Sequence, residues 1–354
     1  MKILIDIGHP AHVHYFKNFI RLMTKKNHEF LIIARNKEIT LDLLKKYNIP
    51  FISRGDGGKT IFSKIMYLPK AVLKIYKHAK IFNPDIFLSF SSTYAAWASK
   101  INRKKHIALD DTEHSKLELL LYPPFTDTIL TPSCFTKKIG DKQIFFNSYT
   151  ELLYLHSKYF TPNLDVLRLL NISKYDKYAF VRFVSWDATH DTNHKGLSNK
   201  DKIDLVKFLS KRMKVFVSSE QELPSEIEKY IFSISPEYIH DALFFSDIYV
   251  GEGGTTASEA CILGTPSVYM NNLSMGYIEE EKKIGLLYQS TDKIEIKKYI
   301  DNIINTGSLN YKRKAKHFIE NKIDPTSLLI WFVENYPKSH FIMKNNLDFQ
   351  NKFR

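Results

Sequence analysis

The sequence predicts an α/β protein built from two doubly wound, parallel-sheet domains in tandem, and three observations carry that expectation. Short apolar runs alternate with amphipathic helical stretches through roughly the first 130 residues, the pattern of βαβ units with helices on both faces of a sheet. The alternation lapses over about 133–174 and resumes at 178. At 354 residues, the chain also exceeds what one hydrophobic core usually spans.

In order, strands are expected at 2–7, 29–34, 50–53, 85–88, 106–109 and 127–130, with helices at about 12–26, 38–47 and 93–101 between them. The second alternation places strands at 178–184, 214–217, 248–250 and 267–270. After Asp324-Pro325 a last helix, 326–335, stops before Pro337 and a basic tail follows. The expected domains are 1–165 and 175–325, with 326–354 as a C-terminal helix and tail, and the connection at about 160–175.

Composition sets the class. A 44% apolar share with 25% charged residues is that of an ordinary globular protein. Cys134 and Cys261 fit no metal or redox spacing, and MKILIDIG leads into a strand pattern instead of a signal peptide, so a reducing cytoplasm is expected. No apolar run approaches about 20 residues, which excludes a spanning helix and leaves attachment to a membrane surface open. The net charge of +13 points to an anionic partner, whether nucleic acid, phosphates or anionic lipid, although a lysine-rich proteome would also raise it. Much of it falls on Lys59, Lys64, Lys70, Lys74, Lys77 and Lys80, interleaved with Ile61, Ile65, Leu68, Val72 and Ile75 at helical spacing. This basic amphipathic helix, kinked or restarted at Pro69, either covers a core with a solvated lysine face or lies on a membrane.

The most informative stretch is DIYVGEGGTTASEACILGTP, 247–266. A short buried strand meets a glycine turn at Gly251, Gly253 and Gly254, and Thr255, Thr256 and Ser258 sit where a helix presents unpaired N–H groups. Amides and helix dipole together favour an anion there, and Glu259, one turn in, is placed to accept hydrogen bonds from paired hydroxyls such as those of a ribose. A capped helix after a tight turn also accounts for the glycines. Gly264 and the extended exit at Thr265-Pro266 add a second strand, however, and the ligand position then falls at the carboxyl edge of a parallel sheet.

Other candidates lie at other strand ends. Gly8-His9-Pro10-Ala11-His12-Val13-His14 follows the first strand, and His12 stands where the helix dipole favours the neutral imidazole that a general base near pH 7 requires. Its H-x-x-H-x-H spacing matches no common zinc pattern, and capping or packing remains open for His9 and His14. Asp110-Asp111-Thr112-Glu113-His114 gathers three carboxylates and an imidazole after another strand, which suits acid/base work or hydroxyl recognition, while a decorated helix start explains part of it. Ser89, Ser91, Ser92 and Thr93 form a second hydroxyl-rich helix start. In the second domain, Arg182 and Lys195 are natural phosphate partners. Asp187, His190, Asp191 and His194 invite a metal, but Asn193 and Gly196 mark a loop, and no metal is assigned. Glu279, Glu280 and Glu281 are expected to form a solvated face.

Taken together, GHPAHVHYFKNF, DDTEH, VRFVSWDATHD, HDALFFSDIYVGEGGTTASEA and LGTPSVY resemble a group of bacterial and archaeal proteins, filed as a domain of unknown function and regarded as glycosyltransferase-like, to about residue 335. More distantly the chain resembles the GT-B superfamily, including MurG and the UDP-GlcNAc 2-epimerases. That resemblance implies two Rossmann-like domains facing across a cleft, the second holding the nucleotide sugar and the first the acceptor. It maps Gly253, Gly254, Thr255 and Thr256 onto the diphosphate loop and Glu259 onto the ribose-binding acid. His12 falls where the MurG-like pattern has its histidine, although the glycine-rich turn there reads IGHPAH in this chain. The turn from His240 to Phe245 resembles the one that meets the base through backbone atoms. With no D-x-D triplet, metal-independent chemistry without a cofactor is implied.

The expected function is therefore transfer of a sugar from a nucleoside-diphosphate donor, UDP before other bases, to a hydroxyl of a glycan or lipid-linked acceptor in surface polysaccharide assembly. His12 or Asp111 would remove the acceptor proton, with Glu113 in the same catalytic cluster. A nucleotide-sugar 2-epimerase using the Asp110–Glu113 carboxylates is the alternative. A non-catalytic nucleic-acid binder would explain the charge but none of these loops, so no nucleic-acid partner is expected.

Overall fold

A computed structural model describes residues 1–58, 61–184 and 197–354, without the side chains of residues 61, 62, 64 and 65. The chain divides into two compact units, Met1–Tyr159 with Lys322–Arg354, and Phe160–Asn321.

The first unit is built on seven strands: β1 Lys2–Ile7, β2 Glu29–Ala34, β3 Ile52–Ser53, β4 Ile86–Phe90, β5 Lys105–Leu109, β6 Thr128–Pro132 and β7 Gln143–Phe146. They lie in the order β3-β2-β1-β4-β5-β6-β7, all parallel. Strands covered on both faces must be apolar throughout, and β1 (KILIDI) buries every residue after Lys2. One face packs Leu4, Ile33 and Phe87 against Val72, Ile75, Ala79 and Ala98 of the helices Ile61–Phe82 and Thr93–Ile101. Val13, Phe16, Phe19 and Met23 line the buried side of the helix Pro10–Lys25, which packs on the helix Pro325–Glu334. The C-terminal residues thus belong to the first unit's core, and Trp331 packs against Phe349 at 4.5 Å between ring centroids.

The basic helix is one element from Ile61 to Phe82 with Pro69 inside it, not two. Pro69 is exposed, so water can take the carbonyl whose amide partner the proline removes. Lys70, Lys74, Lys77 and Lys80 are exposed opposite the buried Ala71, Val72, Ile75 and Ala79. Lys59 lies outside the described residues.

The second unit has five parallel strands: β8 Tyr178–Phe183, β9 Lys214–Ser219, β10 Ile248–Gly251, β11 Ser267–Tyr269 and β12 Leu287–Gln289, in the order β12-β11-β10-β8-β9. Residues 160–175 contribute the helix Asp165–Leu169, and Asn163 N donates to Asp241 Oδ1 at 2.7 Å within the same unit. In each sheet the order turns back once, between β1 and β4 and between β8 and β10. Successive crossovers there leave on opposite sides of the sheet and open a crevice at the strands' carboxyl ends.

Candidate functional site

At the reversal in the second unit, Gly251 closes β10. A Cβ on Gly251 would collide with the Tyr249 hydroxyl and lie 2.9 Å from the Arg182 carbonyl oxygen, so only glycine lets these two neighbouring strands keep their approach. Gly253 caps the helix Gly254–Ile262 with extended backbone and no capping side chain, which leaves its first amides to another acceptor. Gly254 is held by packing: a Cβ there would come within 3.0 Å of Met275 Cε and 3.3 Å of the Tyr269 and Tyr277 hydroxyls. Thr255 and Thr256 are half-buried in the first turn.

Between the glycines sits a residue that the sequence pattern did not single out. Glu252 is 1% exposed, and its carboxylate accepts the N–H of Val184 at 3.1 Å and of Leu197 at 2.9 Å. These two residues flank residues 185–196, so Glu252 ties both described ends of that segment to the glycine turn. Lys195, with Asp187, His190, Asp191 and His194, lies outside the described residues. Arg182 is half-buried, with its guanidinium 2.7 Å from Glu220 Oε1 and 3.3 Å from Ser218 Oγ, so a phosphate there would share the fork with Glu220.

One turn along the helix, Glu259 is buried and its Oε1 lies 3.0 Å from His240 Nε2. The Phe160 ring stands edge-on to His240 at 6.4 Å. His240 therefore brings a side chain to the site, beyond the backbone contact that the resemblance implied for its turn. Glu281 corrects the expectation of a solvated acidic face. Glu279 is half-exposed beside Lys282, but Glu281 is fully buried, its Oε1 accepts the Ser258 hydroxyl at 2.6 Å, and burial pushes its carboxyl up to about 8. A helix turns about 100° per residue, so one of three consecutive glutamates faces inward.

The first unit's edge carries a second constellation. Asp6, at the end of β1, is fully buried and holds Arg54 through Nε at 2.8 Å and Nη2 at 3.3 Å, and Ser92 Oγ donates to it at 2.5 Å. The Arg54 guanidinium lies 4.4 Å from the Tyr94 ring centre, and its Nη1 reaches the Tyr67 hydroxyl at 2.7 Å. Nothing local in the sequence signalled this pair, whose members are 48 residues apart. Beside it, His9 caps the helix Pro10–Lys25 by accepting the Ala11 N–H at 3.2 Å. His12 Nδ1 accepts the Gly8 N–H at 3.3 Å, and its ring packs 4.9 Å from Phe90. Burial and the cations of Lys37 and Arg54 lower His12 to about 3, so the imidazole is neutral.

Beyond β5, the acidic cluster divides by environment. Asp110 is 1% exposed, takes the Tyr122 hydroxyl at 2.6 Å and the Thr112 N–H at 2.9 Å, and is pushed up to about 7 by burial. Asp111 is half-buried, accepts the hydroxyls of Thr150 and Thr112, and is raised to about 6, again by burial. Glu113 is buried and its two oxygens take the N–H and hydroxyl of Thr136 at 2.6 and 3.1 Å, which anchors the connection between β6 and β7. Asp111 is thus the least buried carboxylate of this cluster. His12 follows β1 and Asp111 follows β5, two strands away, or ~10 Å along the sheet edge.

Two Rossmann-like parallel-sheet units in one chain define the GT-B class, and solved structures share this fold over most of their length. A UDP-GlcNAc 2-epimerase from Methanocaldococcus jannaschii, solved in complex with UDP-GlcNAc and UDP, matches with a TM-score of 0.64 at 13% identity, over 86% of this chain and 93% of that one. The spinosyn rhamnosyltransferase SpnG, complexed with spinosyn aglycone, matches with a TM-score of 0.60 at 12% identity, over 95% and 100%. The chain belongs to the family described as Protein of unknown function (DUF354), which matches residues 1–338. An uncharacterized protein of Methanocaldococcus jannaschii is 26% identical over 356 residues, 96% of this chain and 99% of that one.

Proposed function

We propose that the protein is a glycosyltransferase that moves a sugar from a nucleoside-diphosphate donor, UDP-linked before others, to a hydroxyl of a glycan or lipid-linked acceptor in surface polysaccharide assembly. The observation that carries this reading is the uncapped helix start at Gly253-Gly254, set where the second sheet reverses its order, with the buried Glu259 one turn along. The first amides of that helix suit the diphosphate, and Glu259 suits the ribose hydroxyls. Arg182 and Lys195 add cationic contacts as charge leaves the sugar.

In the first unit Asp111 serves as base. The acceptor oxygen attacks the anomeric carbon, the bond from that carbon to the diphosphate oxygen breaks, and the acceptor proton passes to the Asp111 carboxylate. A carboxylate raised to about 6 is ionised at neutral pH and still basic enough to receive it. A single displacement of this kind inverts the anomeric centre and requires no metal. The exposed lysines of the helix Ile61–Phe82, with Leu73 50% and Ile81 86% exposed beside them, suit the anionic cytoplasmic face of a membrane that presents a lipid-linked acceptor.

A nucleotide-sugar 2-epimerase is the second reading, favoured by the paired raised carboxylates Asp110 and Asp111, which could shuttle a ring proton. Incubation with UDP-sugars, with and without glycan or lipid-linked acceptors, tests both by product NMR. Release of UDP with a new glycosidic bond only when acceptor is present supports transfer. Conversion of the sugar by the enzyme alone supports epimerisation and ends the first reading.

A further inference from the structure

We infer that His12 serves as a fixed Nε2–H hydrogen-bond donor to an oxygen of the bound sugar substrate, and not as the base that accepts a proton. The inference deepens the proposed function and rests on it, since it assigns the role of one side chain in that reaction.

The argument begins with the partner on the other ring nitrogen. A backbone amide can only donate, so the Gly8 N–H held 3.3 Å from His12 Nδ1 fixes that nitrogen as the acceptor. A neutral imidazole carries one proton, which must then sit on Nε2. Nε2 has no hydrogen-bond partner among the described residues, and the side chain is half-buried, so the N–H remains open to a ligand. In this tautomer the ring has no lone pair to offer: Nδ1 is engaged and Nε2 is already protonated.

The surroundings oppose a second proton. Arg54 comes from the end of β3, with Nη2 3.6 Å from where a Gly8 Cβ would stand, and Lys37 contributes a second cation from the segment after β2. Phe90 from β4 and Tyr15 from the same helix face the ring at 4.9 and 6.1 Å between centroids, and His9 lies at 6.0 Å. Asp6, the carboxylate that holds Arg54, is already engaged by Arg54 and Ser92. The ring is thereby held neutral far below neutral pH, as a hydrogen-bond donor should be and a proton acceptor should not.

Two measurements on the full-length protein test this. Nitrogen-15 NMR of the wild type, labelled at histidine and assigned by comparison with His12→Ala, reports the tautomer without any substrate. Expected is a His12 Nδ1 signal of the unprotonated, imine type and an Nε2 signal of the protonated type, unchanged between pH 6 and 9. Protonation of Nδ1 anywhere in that range overturns the inference. In transfer assays, His12→Gln keeps an amide N–H at about the Nε2 position, whereas His12→Ala keeps nothing. Gln should retain turnover within about tenfold of wild type while Ala loses about 10²–10³-fold, the loss typical of one transition-state donor. Gln as inactive as Ala, with both variants folded by thermal melting, overturns the donor role. Failure of the wild type to use any nucleotide sugar would instead overturn the proposed function, and the spectrum would still decide the tautomer.

Discussion

His240 Nε2 lies 3.0 Å from Glu259 Oε1, and neither side chain reaches solvent to a useful extent: they are 2% and 7% exposed. A buried carboxylate needs a fixed donor, and the imidazole fixes its orientation as well. His240→Ala should therefore lower stability by about 1–3 kcal/mol and weaken nucleoside-diphosphate binding, because Glu259 loses the contact that aims it. His240→Gln, which can still donate an N–H, should recover most of both. Urea denaturation and calorimetric titration of the two variants check this, and unchanged stability in the alanine variant would show that the pair is incidental.

Asp111→Asn should leave the Michaelis constant for the donor near normal and lower turnover by about 10²–10⁴-fold, the range for loss of a general base. With the carboxyl raised to about 6, wild-type kcat/KM should climb with pH and level off above about 7. The asparagine variant should show no such rise. A full rising limb in the variant would assign the titration to another group.

Glu281 gives a pH signature in stability. Its carboxyl sits at about 8 in the fold against an ordinary 4.5, so between those values the native state holds a proton that the unfolded chain has released. Its stabilising contribution is complete below 4.5 and is lost as pH rises towards 8, at about 1.4 kcal/mol per pH unit. Glu281→Gln, neutral throughout and still able to accept from Ser258, should match the wild type near pH 5 and exceed it by a few kcal/mol near pH 8. Chemical denaturation at both values reads the difference. Asp110 and Asp111 slope the same way, but they are common to both proteins and cancel.

Replacing Lys70, Lys74 and Lys77 with Gln should release the protein from anionic vesicles, since each lysine near such a surface contributes on the order of 1 kcal/mol. Co-sedimentation at low and moderate salt measures it. Unchanged binding would leave the helix as a core element with a solvated face, the role that its buried Val72 and Ile75 already fill.

The fold was legible because both sheets announce themselves locally. Runs such as KILIDI and IYVG are apolar on both faces, and glycines or hydroxyls punctuate their ends. β7 and β12 escaped: four residues opening on Gln143 and three opening on Leu287, each at its sheet's edge, carry too little pattern. The glycine turn and Glu259 were readable from spacing, because a helix start and one helical turn are local geometry. Their partners were not. Arg54 finds Asp6 across 48 residues, His240 finds Glu259 across 19, and Glu252 binds amides 68 and 55 residues back. These contacts follow from strand order, which no local pattern encodes. Lone buried acids such as Glu252 and Glu281 look like ordinary surface acids until the chain is folded.

Calorimetric titration of UDP into the wild type and into Glu259→Ala tests the central claim, that the second unit holds a nucleoside diphosphate at the Gly253-Gly254 turn with Glu259 on the ribose. The wild type should bind UDP, and the alanine variant should bind it about 1.5–3 kcal/mol more weakly with an unaltered melting profile, as loss of one charge-assisted hydrogen bond predicts. Equal affinity for the two proteins, or no binding of UDP, GDP, CDP or dTDP by the wild type, would contradict it.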